Sequence, residues 1–205
     1  MVRYAEEASD RWVGFEFRPG DIVISTRSKC GTTWLQMICA LLVFQDADLP
    51  APLAELSPWF DWDVEPVEVV RERLDGQEHR RFIKTHTPLA GLPLEPDVTY
   101  LVAGRHPLDV ATSLYAHGHN IDRDRFEALT GRRSGPPTGT FPEWFDWWLD
   151  PGVGPLEVLD SCRVSFTTLP TRGTDRATRT SCSSTTTTCP TTSTGRCAGW
   201  PGTWR

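Results

Sequence analysis

Between Asp21 and Leu42 the chain reads DIVISTRSKCGTTWLQMICALL. Ile22–Thr26 reads as a buried strand. It ends in a small polar turn with one glycine, and an apolar run at near-helical spacing, Thr32–Phe44, follows at once. The pattern recurs. RRFIKTH is a short strand candidate with a polar end, and VTYLVAGRHP (Val98–Pro107) is a second buried strand whose Pro107 opens another helix. PVEVVRERLDG (Pro66–Gly76) carries helix start and stop signals, and FPEWFDWWLD (Phe141–Asp150) reads as an aromatic helix. Strands alternating with helices predict an α/β domain with a mainly parallel sheet. QDADLPAPLAELSPWFDWD reads as Pro-rich loop, and RDRFEALTGRRSGPPTGT as a mobile linker.

A chain of 205 residues can bury one real core, and 39% hydrophobic content with nine Trp fits a globular domain. The net charge of −6 argues against an extended nucleic-acid surface, so an anion site must be a local basic pocket. No apolar run approaches ~18 residues, which predicts no transmembrane helix. MVRYAEEASDRW lacks the apolar centre of a signal peptide, and a cytoplasmic enzyme is expected. The spacing of the six cysteines matches no zinc pattern, and a disulfide framework has little support.

In such a sheet, ligands bind at the carboxyl ends of the strands. Three of those ends carry polar groups. At Lys29-Cys30-Gly31-Thr32-Thr33-Trp34, glycine permits close backbone approach. The amides of Gly31, Thr32 and Thr33 would face an anion at a helix N-terminus. Lys29 adds a cation and Trp34 an aromatic face for a base. The alternative is a helix start with a Thr cap and a core Trp. At Lys84-Thr85-His86, a histidine can act as a general base and a lysine can stabilise charge on a bridging oxygen. The alternative is a surface Lys and a structural His. Arg105 and Ser113 can hold a second phosphate, with Asp109 orienting Arg105; they can equally be an ordinary Arg–Asp pair and a solvent-facing Ser. Together the three ends suit a donor carrying two separated phosphate-type groups.

These motifs resemble the cytosolic PAPS-dependent sulfotransferase family. SKCGTTW is similar to that family's PKSGTTW, KTHTP to KTHLP, and RHPLDVATSLY to RNPKDVAVSYY, in the same order and at similar spacing. LSPWFDW looks like the acceptor-side loop, and FPEWFDWWL like the aromatic helix. The similarity covers residues 1 to about 155. It implies a P-loop-NTPase-like three-layer α/β sandwich, incomplete at the C-terminus. It also implies transfer of a sulfuryl group from PAPS (3′-phosphoadenylyl sulfate) to a hydroxyl or amine of a small, largely apolar acceptor, with no metal. By this resemblance Lys29, Cys30, Gly31, Thr32 and Thr33 would hold the 5′-phosphosulfate. Trp34 would stack on adenine, and Arg105 and Ser113 would bind the 3′-phosphate. His86 would be the base, with Lys84 and Lys29 stabilising the transfer. Trp59, Phe60, Trp62 and Phe141–Trp148 would line the acceptor pocket or simply fill the core. Ser28 and Cys30 depart from the family's Pro and Ser. An ATP-using kinase would require GK[ST] spacing, which the loop lacks.

From about Ser161 the composition changes. The stretch 161–205 contains no Lys and a single acid, Asp175, and SCSSTTTTCPTTSTGRCAGW has no amphipathic period. Two parts are therefore expected: a sulfotransferase domain over 1–160 and an aberrant, disordered tail over 161–205. The tail is expected to be read in a shifted frame, with the shift near residues 155–165. Read from the third base of each codon, the Thr run after Ser184 becomes NAC codons, which encode only Tyr, His, Asn or Asp. The competing expectation is an inactive remnant that at most binds PAP or PAPS. The nucleotide sequence across residues 150–205 tests the frame.

Overall fold

The computed structural model describes residues 2–4, 9–131, 139–150, 152, 160 and 162. All of them fall in the first of two units, 1–170 and 171–205. The expected tail from 161 onward lies outside the described residues, Cys162 excepted.

The order is β1 (Ile22–Thr26), α1 (Thr32–Phe44), α2 (Leu53–Leu56), α3 (Val67–Asp75), β2 (Phe82–Thr85), β3 (Thr99–Ala103), α4 (Pro107–His119), α5 (Arg123–Thr130) and α6 (Phe141–Leu149). The three strands form a parallel sheet in the order β2-β1-β3. Ile22 pairs with Phe82 and Thr99, and Val23 with Ile83 and Tyr100. Because side chains alternate across a strand, this register sorts the sheet into two apolar faces. Ile22, Ile24 and Phe82 pack with Cys39 and Ala40 of α1 and Leu56 of α2. Val23 and Ile83 pack on the opposite face with Val70 and Leu74 of α3, Trp12 and Phe60. Val70 and Leu74, four residues apart, are one helical stripe. Helical cover on both faces makes the layered α/β arrangement that the strand–helix alternation predicts.

A third cluster joins Cys30 of the loop after β1, Val110 and Ala111 of α4, and Trp148 of α6. It anchors the loop from below. The edge of β2 is extended by an irregular segment: Lys84 N–H donates to the Pro58 carbonyl at 3.1 Å, and Phe60 N–H to the Lys84 carbonyl at 3.0 Å. This brings the WFDW stretch to the end of β2.

Three expectations are corrected. Leu53–Leu56, inside the stretch read as Pro-rich loop, is a short helix. β3, read as a buried strand, has Thr99 exposed and Tyr100–Ala103 half-buried. Arg123–Thr130, read as part of a mobile linker, is a helix. Asp122 caps it, accepting from the Arg125 N–H at 3.0 Å, and Gly131 closes it with φ 67°. An Asp at the start and a left-handed Gly at the end are the signals that a helix of poor amphipathicity leaves in a sequence. Residues 132–138 of that stretch lie outside the described residues.

Candidate active site

The loop after β1 is built on two left-handed residues, Lys29 (φ 62°) and Gly31 (φ 93°). Gly31 adopts this conformation without cost, whereas Lys29 adopts it against the preference of a side-chain-bearing residue. The turn exposes successive backbone N–H groups, and α1 begins at once. The first N–H groups of a helix lack intrahelical partners. Here the helix starts without a side-chain cap and without an acid in its first turn. Thr32 does not serve as a cap. Its hydroxyl lies 2.5 Å from that of Thr26, inside the fold. The arrangement leaves positive dipole ends and a lysine at the end of the central strand, which suits an anion.

The six loop residues divide by burial. Thr33 and Trp34 are exposed, Trp34 by 73%, so its ring face is open to a ligand and it is not a core residue. Cys30 is buried in the cluster beneath the loop, and burial pushes its thiol up. Its backbone N–H donates to the Arg27 carbonyl at 3.1 Å. The departure from the family's Ser therefore sits on the packed side of the loop.

His86 lies against the root of this loop. Its Nδ1 is 2.6 Å from the Thr26 carbonyl. A carbonyl can only accept, so Nδ1 carries the proton and Nε2 keeps its lone pair. Arg27, itself buried, donates to the His86 carbonyl in a short hydrogen bond and pairs with Asp160 at 3.4 Å. The Trp59 ring stands edge-on to the imidazole at 4.6 Å and is stacked on Trp62 at 4.9 Å. Lys84 places Nζ 3.8 Å from the Trp59 ring centroid. Burial, then the Lys84 charge, pushes His86 from 6.5 down to about 4. The ring is neutral at pH 7.

This has a consequence for stability. The unfolded chain, with an ordinary histidine, binds a proton that the folded chain resists. The His86 contribution is intact above pH 6.5 and is lost as the pH falls toward about 4, a loss on the order of 3 kcal/mol. Urea denaturation between pH 7 and 4 should register it, and His86→Gln should flatten that part of the curve.

Arg105, between β3 and α4, reaches the loop: Nη1 lies 3.4 Å from the Lys29 carbonyl, and Nε 3.9 Å from Asp109. Ser113 is half-buried on α4, and among the described residues no hydrogen bond joins it to the loop. Of the expected acceptor residues, Phe60 and Trp148 are core. Trp62 and Trp147 keep exposed surface.

Four residues of the neighbourhood escaped the sequence reading. Arg27 is a buried charge on what reads as loop; Thr26 binds His86 through its carbonyl, which no side-chain pattern reports. His117 of α4 is pushed down by burial and then by Lys29. Asp61 is a buried carboxylate hidden between Phe60 and Trp62.

Residues 19–156 match the family described as the sulfotransferase domain. Over 119 residues the chain is 50% identical to a glycolipid sulfotransferase of Mycobacterium tuberculosis, covering 58% of this chain and 36% of that protein. It is 34% identical over 122 residues to sulfotransferase 1A1 of Canis lupus familiaris, covering 56% of this chain and 41% of that one. The matched stretch thus spans well under half the length of these relatives. The fold is similar to that of mouse sulfotransferase SULT7A1 complexed with PAP, with a TM-score of 0.53 at 22% identity over 80% of this chain and 52% of that one. Two thirds of the chain, with its parallel sheet and its strand-end loop, thus answers to one description, and the chain belongs to the sulfotransferase domain family.

Proposed function

We propose that residues 1–160 carry a PAPS-dependent sulfotransferase site acting on a hydroxyl or amine of a small, largely apolar acceptor. The observation that carries this reading is the Thr26–His86 hydrogen bond, which sets a neutral base at the root of the anion loop. The residues present fit the donor: an uncapped helix start, left-handed Lys29 and Gly31, an open Trp34 face, and Arg105 on the same loop. PAPS, when bound, supplies a sulfuryl group on a phosphosulfate anhydride.

Lys29 and the amides of Gly31, Thr32 and Thr33 bind the 5′-phosphosulfate, and Trp34 offers its face to the adenine. Arg105 holds the 3′-phosphate from the far side of the loop, with Ser113 as the second donor. His86 accepts the acceptor's proton at Nε2 while Thr26 keeps Nδ1–H in place. Lys84 and Lys29 stabilise the negative charge that develops on the bridging oxygen. Trp59 and Trp62 present apolar ring surface beside the base. No described helix is long and apolar enough to cross a membrane, and we place the reaction in the cytoplasm. The name of the mycobacterial relative supports including lipid-linked sugars among the acceptors assayed.

The test uses the full-length chain, with PAP affinity from calorimetry and transfer from labelled PAPS to a panel of phenols, alcohols, amines and glycolipids. Lys29→Met is expected to weaken PAP binding by at least about tenfold, the loss of one charge-assisted contact. A wild-type chain that binds neither PAP nor PAPS would falsify the reading. A chain that binds PAP and transfers nothing to any acceptor overturns its catalytic half.

A further inference from the structure

Asp61 is only 1% exposed and sits beside the core residue Phe60 in the segment that pairs with the edge of β2, while the next residue, Trp62, is exposed. Its Oδ2 accepts short hydrogen bonds from the Thr85 and Thr87 hydroxyls and a third, at 3.2 Å, from the Thr87 N–H. Thr85 and Thr87 are the two neighbours of His86 in the chain. Ser25 donates to the Thr87 carbonyl at 2.8 Å and ties the same turn to β1. The peptide carrying the base is therefore held from two sides.

The other carboxylate oxygen is harder to explain by structure alone. Asp61 Oδ1 is buried and has no hydrogen-bond partner among the described residues. An unpaired buried carboxylate oxygen costs free energy. A neutral amide oxygen could accept the same three bonds without carrying that charge. The charge has a use beside His86. Lys84 on β2 and Arg27 at the end of β1 both act on the imidazole as positive charges, and Asp61 acts on it as a negative one. When Nε2 takes up a proton, the imidazolium forms in the field of two cations; the Thr26 carbonyl opposes them first, and the Asp61 carboxylate is the formal negative charge that adds to it.

We propose that Asp61 is a positioning residue for His86, holding the Thr85–Thr87 turn through three hydrogen bonds and countering the positive charge that forms on the imidazole. The proposal rests on the reading of His86 as the base. The proton passes from the acceptor hydroxyl to Nε2, and Asp61 takes no part in that transfer.

The test compares Asp61→Asn, Thr87→Ser and Thr87→Val in the full-length chain. Three quantities are read: the His86 titration by NMR of labelled histidine, assigned through His86→Gln; kcat and KM for PAPS; and the dissociation constant for PAP. With Asp61→Asn, His86 is expected to titrate at lower pH than in the wild type, or to stay neutral down to acid unfolding. In the same variant kcat falls by at least about tenfold while PAP affinity stays within about twofold. Thr87→Ser, which keeps the hydroxyl, behaves like the wild type. An unchanged His86 titration in Asp61→Asn overturns the proposal, as does a parallel loss of kcat and PAP affinity. Should the Asp61→Asn chain fail to fold, Thr87→Val decides. A lower kcat that Thr87→Ser does not share supports the clamp, and an unchanged kcat sinks it. A wild-type chain without transfer activity removes the reading of His86 as the base; the link between Asp61 and His86 is then judged on the titration alone.

Discussion

With His86→Gln, kcat for sulfuryl transfer is expected to fall by about 10²–10⁴-fold, the usual contribution of a positioned general base. Glutamine keeps most of the side-chain volume and can donate to the Thr26 carbonyl, so the loop root should stay intact. PAP affinity should then stay within about twofold, because the anion contacts reside in Lys29, the loop amides and Arg105. The pH profile gives a second reading. With His86 held down to about 4 by burial and the Lys84 charge, the wild-type rate should show no acid limb near 6.5. It should decline only below about pH 5. A wild-type limb centred on 6.5, or a glutamine variant with full kcat, would sink the assignment of the base.

At the other end of the strands, Asp21→Ala is expected to destabilise the fold by about 3 kcal/mol, the low end of the cost of breaking a buried ion pair. Arg81 donates through Nε to Asp21 Oδ1 at 2.9 Å and through Nη2 to Oδ2 at 2.5 Å, and both residues are at most 2% exposed. Asp21 also accepts from the Arg18 N–H at 2.8 Å, and its carbonyl receives the Thr99 N–H at 2.8 Å. Removing the carboxylate leaves the buried Arg81 guanidinium, where β1, β2 and β3 all begin, with the exposed Asp75 at 3.3 Å and the Glu16 carbonyl at 3.1 Å as its remaining partners. Against a net stability of ~5–15 kcal/mol, this decides whether the chain folds at 37 °C. Urea midpoints provide the measurement. The double variant Asp21→Ala/Arg81→Met should regain part of the loss, since it no longer buries a guanidinium without its carboxylate. An unchanged midpoint for Asp21→Ala would mean that the pair contributes nothing.

Much of the fold was readable from local pattern. Thr32–Phe44 was bounded as the structure bounds it, and Val67–Asp75 lies one residue inside each of the Pro and Gly signals that predicted it. β1 and the start of β2 were legible because residues covered on both faces of a sheet are apolar; β3 was found by its apolar run, yet Thr99 is exposed and Tyr100–Ala103 are half-buried. Arg123–Thr130 was misread because the helix has no buried residue to mark a period; only its capping residues announced it.

The candidate site divides along the same line. Lys29, Gly31, Lys84, His86 and Arg105 could be singled out in the sequence because each stands at the end of a strand or the start of a helix. In a parallel sheet, strand ends converge at one edge whatever the loops do. What local pattern could not carry is the set of contacts that gives those residues their chemistry. The Thr26 carbonyl that selects the His86 tautomer is common to every residue type, so no letter of the sequence encodes it. Asp61 reaches Thr85 and Thr87 across 24 and 26 residues of chain. The inward turn of Cys30 and the outward turn of Trp34 follow from the left-handed Lys29 and Gly31 beside them. Residue types report propensity and period; burial, charge pairing and protonation depend on neighbours far along the chain, and these exist once the sheet has brought β1, β2 and the WFDW segment side by side.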